Sequence, residues 1–93
     1  MQRYKYNAVF KKVSQVIADH KGISPDSLDD KTSMELDLNI DQVDMLVIVG
    51  ELEKEFDIKI PDKYIWKYKR MDLIVKDIIM RGKRKSRDAR DQE

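Results

Sequence analysis

The sequence predicts an all-helical fold, a four-helix bundle with a long first loop and a short third helix. The chain has 93 residues, which suits one domain with a modest core. Its residues are 40% charged and 41% hydrophobic, a balance typical of helices that each have one solvated face. Apolar residues also recur at spacings of three and four in three separate segments, which is the period of amphipathic helices.

The first helix is predicted over residues 7–20. The apolar residues that fall on one face of it are Val9, Phe10, Val13, Val16 and Ile17. Gly22 is expected to end this helix, because glycine commonly closes helix C-termini. His20 is expected to be a terminal residue that suits the negative end of the helix dipole, and not a catalytic group.

Residues 22–40 form a long connection. Ser24-Pro25-Asp26-Ser27 is typical of a turn, with room for one short helical turn. The few apolar residues beyond this turn are Leu28, Met34, Leu36, Leu38 and Ile40. Structureless loops of this length are uncommon in compact domains, so we expect the connection either to be pinned by these residues or to carry function.

The second helix is predicted from Asp41 to about Phe56. Asp41 is the expected N-cap, and Asp44 stands three residues later, where a capping box places its second acid. The apolar residues at helical spacings are Val43, Leu46, Ile48, Val49, Leu52 and Phe56. Gly50 lies inside this helix at a cost of up to about 1 kcal/mol relative to alanine, and it leaves room for a close approach by another group.

Two further helices and a tail follow Pro61, which disfavours helix just before it. Residues 63–68 predict a short third helix, and residues 70–80 predict a fourth that ends at Gly82. Residues 83–93 are basic and contain one apolar residue, so we expect a disordered tail. The predicted division is therefore a bundle over 1–82 and a tail over 83–93.

The charges of the chain are segregated into blocks. Residues 1–23 carry five bases and one acid, a net +4, and residues 24–57 carry two bases and eleven acids, a net −9. Residues 58–93 carry twelve bases and six acids, a net +6. The acidic block is interpreted as a docking face for a basic partner, with an ordinary solvated helix surface as the alternative.

Several kinds of chemistry are not expected. The chain has no cysteine and one histidine, so it offers no disulfide, no cysteine nucleophile and no histidine- or thiolate-based metal site. No nucleophile and base stand out as a pair, and an enzyme is therefore not expected. Apolar runs are too short for a membrane span or a signal peptide, so we expect a cytoplasmic protein. Separately, we expect it to be a monomer.

Two motifs resemble those of a known family. Residues 36–44, Leu-Asp-Leu-Asn-Ile-Asp-Gln-Val-Asp, resemble the acyl carrier signature D-L-G-x-D-S-L-D. Residues 52–62, Leu-Glu-Lys-Glu-Phe-Asp-Ile-Lys-Ile-Pro-Asp, are similar to the family's L-E-E-x-F-[DG]-x-x-I-P-D. The likeness to acyl carrier proteins extends over about residues 8–80 without a gap, and it implies their bundle with a long first loop and a short third helix.

The resemblance places Gln42 where the family has the serine that attaches 4′-phosphopantetheine. A primary amide cannot replace that hydroxyl, because its nitrogen lone pair is delocalised and the phosphodiester needs an oxygen. The nearest serine or threonine hydroxyls are those of Thr32 and Ser33 upstream, and downstream there is none before Ser86. No prosthetic group is therefore expected on this chain, whether the serine was lost by natural divergence or by engineering.

The departures from the family extend beyond Gln42. Asn39 replaces its glycine, and Val47 and Lys54 stand where the family usually has acids that pair with basic residues on synthase enzymes. The expected partner-binding surface combines the second helix with two aromatic residues. It comprises Asp41, Gln42, Asp44, Val47, Glu51, Glu53, Lys54, Tyr64 and Trp66.

Tyr64 and Trp66 are open to two interpretations. Ile65 and Tyr68 should face the core, which leaves Tyr64 and Trp66 as an aromatic contact patch flanked by lysines, since such residues are favoured at interface hot spots. The alternative is that the two rings fold over the third helix and enlarge the core.

The sequence is compatible with three functions. The first is an acyl-carrier-like interaction module that binds proteins, among them enzymes that handle acyl chains, without carrying an arm. The second is a divergent member of a true carrier lineage in fatty-acid, polyketide or related acyl-transfer metabolism. The third is a small adaptor that binds nucleic acid or an anionic membrane through the basic C-terminal region, although acids in the tail weigh against such partners.

Overall fold

The computed structural model describes the backbone of residues 5–91 and the side chains of residues 5–82. Its helices are α1 (Tyr6–Lys21), the 3-10 helix η1 (Pro25–Ser27), α2 (Gln42–Phe56), the 3-10 helix η2 (Asp62–Lys67) and α3 (Met71–Asp91). The described residues form no strand, only an isolated bridge between Ser33 and Arg70. The prediction of an all-helical fold is confirmed, with α1, α2, η2 and α3 as the four helices. None of the described helices combines the length and the apolar composition that crossing a bilayer requires.

The two ends of α1 are fixed in different ways, the C-terminus by a local turn and the N-terminus by a tertiary contact. At its C-terminus Gly22 adopts a φ of 71°, and its N–H donates to the carbonyl of Ala18 at 2.7 Å. A residue with a Cβ would be strained at this φ, so glycine ends the helix as predicted. At its N-terminus the Tyr6 hydroxyl donates to Asp30 Oδ1 at 2.5 Å, which ties α1 to the loop that follows it.

The first loop, residues 22–41, is pinned to the bundle by apolar anchors. Leu28, Met34 and Ile40 are buried, as the sequence predicted. Leu36 was expected to join them, but 85% of it is exposed. The reason is a tight turn in which the N–H groups of Asp37 and Leu38 both donate to the carbonyl of Ser33, which leaves Leu36 outside.

The same loop also pairs with the start of α3 through backbone hydrogen bonds. The N–H of Met34 donates to the carbonyl of Lys69 at 2.9 Å. In the other direction, the N–H of Met71 donates to Thr32 at 3.1 Å and that of Asp72 to Asp30 at 3.0 Å. The first N–H groups of a helix have no partner inside it, so the loop carbonyls act as the cap of α3.

The buried face of α2 differs in part from the prediction. Met45, Ile48, Val49, Leu52 and Phe56 are buried at helical spacings. Val43 and Leu46, which the sequence places at the same helical spacings as Ile48 and Leu52, are 69% and 49% exposed. This helix has a second set of apolar residues beside the first, and the period alone cannot decide which set faces the core.

The C-terminal helix α3 is longer than predicted. Its core face consists of Met71, Ile74, Val75 and Ile78, all fully buried. The helix does not end at Gly82 but continues to Asp91, so that predicted boundary is wrong. Glycine inside a helix costs only about 1 kcal/mol relative to alanine, and the lysines, arginines and alanine that follow have high helix propensity.

The expected tail falls partly on this extension. The backbone of residues 83–91 is helical, where the sequence favoured disorder, and residues 92 and 93 lie outside the described residues. Extending an existing helix avoids the cost of a new nucleus, which is why a polar stretch can continue one that a packed segment has begun. The division into a bundle over 1–82 and a tail over 83–93 stays a prediction.

The core lies where α1, α2 and α3 meet, with α1 packed mainly on α3. Two polar side chains are buried among the described residues, Ser14 and Thr32. Ser14 on α1 is only 3% exposed, and its Oγ has no hydrogen-bond partner within that part of the chain. A buried hydroxyl without a partner is destabilising, so Ser14 is a weak point in the packing.

Candidate functional site

The N-terminus of α2 is built by a reciprocal pair of hydrogen bonds. Asp41 is the N-cap, and its Oδ1 accepts from the N–H of Asp44 at 2.8 Å. The Oδ2 of Asp44 accepts in turn from the N–H of Asp41 at 3.1 Å. The capping box predicted from the sequence is therefore confirmed. Gln42 follows as the first residue of α2, and its side chain is exposed.

Asp44 also connects α2 to the end of α1. Its Oδ1 lies 2.9 Å from Nε2 of His20. The contact with His20, together with the N–H of Asp41, lowers the pKa of Asp44 from 3.8 to about 2. The sequence placed His20 at a helix end but gave no sign of this partner, because the two residues are 24 positions apart and only the fold brings them together.

The serine and threonine hydroxyls that are nearest to Gln42 in the sequence lie in the first loop. The Oγ1 of the buried Thr32 accepts from the N–H of Asp29 at 2.8 Å and lies 3.2 Å from its carboxylate. The Oγ of Ser33 accepts from the N–H of Leu36 at 3.0 Å. Both hydroxyls thus have structural hydrogen bonds within the loop, and neither takes the place of a side chain at position 42.

Next to Gln42, α2 exposes an apolar stripe. We use this name for Val43, Leu46, Val47 and Gly50, which recur at helical spacing. Val43 and Val47 are 69% and 51% exposed. A Cβ added at Gly50 would meet nothing within 4 Å among the described residues, so the space beside this glycine is open. Exposed apolar residues grouped in this way are typical of binding surfaces.

The acids predicted to bind a partner along α2 differ in their surroundings. Glu51 is exposed and forms an ion pair with Lys54 at 3.8 Å. Glu55, which the predicted partner-binding surface does not include, forms one with Lys12 of α1 at 3.4 Å. Glu53 is half-buried, and its Oε2 accepts from the N–H of Ile60 at 2.7 Å. Glu53 therefore anchors the segment between α2 and η2, a role that the sequence did not indicate.

Tyr64 and Trp66 on η2 were expected either to form an exposed contact patch or to enlarge the core, and the two residues differ in this respect. Ile65 and Tyr68 are buried, as predicted. Tyr64 packs partly against the core, whereas Trp66 is 66% exposed. The Tyr68 hydroxyl donates to Asp77 on α3, and burial is the main reason that the pKa of Tyr68 is raised.

Cationic side chains surround the Tyr64 ring. The Nζ atoms of Lys63 and Lys67 lie 5.6 and 4.9 Å from its centroid, and Cζ of Arg81 lies at 4.7 Å. Lys67 Nζ also lies 5.6 Å from the centroid of the Trp66 ring. Over residues 5–82, no three histidines or acids come together as a metal site would require.

Comparisons with known proteins agree with this architecture. Residues 11–75 match the sequence model of a family described as "Phosphopantetheine attachment site". The acyl carrier protein of Bdellovibrio bacteriovorus is 32% identical over 76 residues, which are 82% of this chain and 97% of that protein. The acyl carrier protein of Clostridium acetobutylicum is 40% identical over 55 residues, 59% of this chain and 71% of its own.

A solved structure has the same fold. The acyl carrier protein from Enterococcus faecalis superposes with a TM-score of 0.70 at 30% sequence identity, covering 83% of this chain and 98% of that one.

Proposed function

The chain belongs to the acyl carrier protein family, and we propose that it acts as an interaction module that carries no 4′-phosphopantetheine at the usual position. The observation that carries the proposal is Gln42 at the first turn of α2. By motif position, this is where the family's serine stands. A carboxamide there has no hydroxyl oxygen with which to form the phosphodiester to the arm.

The residues around Gln42 support the same conclusion. When bound, the prosthetic group would supply a thiol that carries an acyl chain as a thioester, and its attachment needs a free hydroxyl at this turn. The hydroxyl groups of Thr32 and Ser33 take part in hydrogen bonds within the first loop. The side chains present therefore do not fit a covalently attached arm.

The exposed side of α2 supports a role in protein binding. The apolar stripe stands out from the bundle, and Lys54 is 79% exposed beside Glu51. Burying exposed apolar surface contributes roughly 25 cal/mol per Å² to association, before the costs of binding are subtracted. A partner that docks here would present apolar groups to Val43 and Val47 and an acid to Lys54. Enzymes that handle acyl chains are candidate partners, since the family works with them.

The proposal assigns no reaction to the chain itself, and it keeps the expectation of a cytoplasmic monomer. The second candidate is a divergent member of a true carrier lineage in fatty-acid, polyketide or related acyl transfer. What favours that candidate is the similarity to the Bdellovibrio protein, which extends over 97% of that protein's length.

Intact-mass analysis tests the proposal. The full chain is incubated with a phosphopantetheinyl transferase and coenzyme A, with a serine-containing acyl carrier protein as the positive control. We expect the mass of the chain to stay unchanged while the control gains one arm. A gain of one arm on the unaltered chain would overturn the proposal.

The Gln42→Ser variant is the companion experiment. Gln42 is exposed, so the exchange should leave the bundle folded, and circular dichroism checks that it does. Efficient modification of the variant would mean that the transferase still docks and that only the attachment chemistry is missing. A folded variant that stays unmodified would mean that the changes at Val47 and Lys54 have also altered recognition.

A further inference from the structure

A second surface lies on η2 and the adjoining turn of α3. We call it the cationic aromatic patch, and it consists of Lys63, Tyr64, Trp66, Lys67 and Arg81. Three cations surround one ring, with Lys67 and Arg81 within 5 Å of the Tyr64 centroid. The patch also contains Trp66, which is the largest of the exposed apolar side chains. Cations and aromatic rings are thus concentrated in one place.

The charges of the patch are only partly neutralised. Arg81 Nε lies 2.7 Å from Asp77, and this guanidinium also donates to the backbone carbonyl of Lys59. Lys63 and Lys67, by contrast, take part in no ion pair within residues 5–82. Their ammonium groups lie over the ring of Tyr64. The patch therefore holds two lysines whose charge is available to an anionic partner.

We propose that the cationic aromatic patch docks an acidic segment of a partner protein, one in which carboxylates alternate with apolar side chains. Carboxylates would pair with Lys63 and Lys67 as charge-assisted hydrogen bonds, which are stronger than neutral ones. An apolar side chain would cover the exposed ring of Trp66, and tryptophan is enriched among residues that dominate binding energy. Charge complementarity would also accelerate the encounter.

A protein segment fits this patch better than a nucleic acid does. Stacking of bases needs an open aromatic face. The Tyr64 ring is approached by Lys63, Lys67 and Arg81, so it offers no such platform. One exposed ring, that of Trp66, is too little for a strand of successive bases.

A protein segment also fits better than a membrane. Trp66 is the one exposed large apolar residue of η2. Attraction to an anionic bilayer contributes only about 1 kcal/mol per lysine or arginine near the surface, and stable attachment needs a second anchoring signal. A partner that neutralises two lysines and covers one tryptophan matches the size of the patch.

This inference rests on the proposed function only in treating the chain as an interaction module. It involves η2 and α3 and does not depend on Gln42. The two can therefore fail separately: a chain that accepts the arm could still bind an acidic segment, and a chain without an arm could leave this patch unused.

The test uses the intrinsic fluorescence of Trp66, which is the only tryptophan of the chain. The full chain is titrated with a synthetic peptide of alternating glutamate and leucine, and in parallel with the same peptide carrying glutamine for glutamate. We expect the glutamate peptide to shift the emission to shorter wavelength, with an effect that weakens as salt is added. The glutamine peptide should bind at least about tenfold more weakly.

The matched variants are Lys63→Glu/Lys67→Glu and Lys11→Glu/Lys31→Glu, which change the net charge equally. All four lysines are exposed, so both variants should fold. We expect the first variant to lose roughly tenfold or more in affinity for the glutamate peptide and the second to lose less than about threefold. Equal losses in both would overturn the proposal, since the peptide would then sense only net charge.

Three other outcomes would also overturn it. The first is an unchanged emission with both peptides. The second is a shift produced by phosphatidylserine vesicles or by single-stranded oligonucleotide but not by the glutamate peptide, which would identify a different class of partner. The third is a concentration-dependent shift of the chain alone, with self-association in sedimentation experiments, which would assign the patch to a second copy.

Discussion

Replacing Glu53 with alanine should destabilise the bundle by about 2 kcal/mol, since it removes a charge-assisted hydrogen bond worth roughly 1.5–3 kcal/mol. In the native chain, Glu53 Oε2 accepts from the N–H of Ile60 at 2.7 Å in a partly buried position. Without the carboxylate, that N–H loses its partner, and the segment before η2 loses one of its attachments to α2, while the N–H of Ile58 still donates to the backbone carbonyl of Glu53. Glu53→Gln keeps an oxygen acceptor and should cost about 1 kcal/mol or less.

The assay is urea unfolding followed by circular dichroism, with the free energy of unfolding extrapolated to water. Thermal unfolding gives an independent check, because 1 kcal/mol shifts the midpoint by about 4–8 °C in a domain of this size. Glu51→Ala is the matched control: it removes an acid two positions away that has only an exposed ion pair at 3.8 Å, and it should change stability by about 0.5 kcal/mol or less. If Glu53→Ala and Glu51→Ala lose the same amount, the attachment role of Glu53 is refuted.

Two further predictions concern stability. Because the pKa of Asp44 is lowered from 3.8 to about 2, its contact with His20 and the N–H of Asp41 should stabilise the bundle fully above about pH 4. That contribution should disappear as the pH falls towards 2. The free energies of unfolding of the wild type and of Asp44→Asn, measured with urea, should therefore differ at pH 5 and converge near pH 2. A difference that does not change with pH would contradict the assignment. Ser14→Ala should raise the free energy of unfolding by about 1 kcal/mol, since it removes a buried hydroxyl without a partner and improves helix propensity. A loss of stability in the same assay would mean that Ser14 has a favourable contact.

Features that depend on neighbours in the chain were predictable from the sequence. Gly22 ends α1 because the left-handed backbone there suits glycine, and Asp41 and Asp44 form a capping box because their spacing allows it. The long first loop and the short η2 followed from the same local signals. The motifs around Gln42 likewise indicated the family, which the comparisons establish.

Features that depend on the packed fold were not predictable in this way. Leu46 has the periodicity of a core residue, yet the bundle buries Met45 instead. The contact between His20 and Asp44 joins residues of two helices, and no local signal encodes it. Gly82 predicts a helix end, but a helix that is already packed can continue through one unfavourable residue.

The backbone pairing between the first loop and α3 has a consequence for how the protein opens. The amides of Met71 and Asp72 are held by carbonyls of Thr32 and Asp30, so a fluctuation that releases the loop also exposes the first turn of α3 to solvent. Regions linked in this way exchange their amide hydrogens as one cooperative unit. We therefore expect the first loop and the first turn of α3 to share a common opening free energy at this junction.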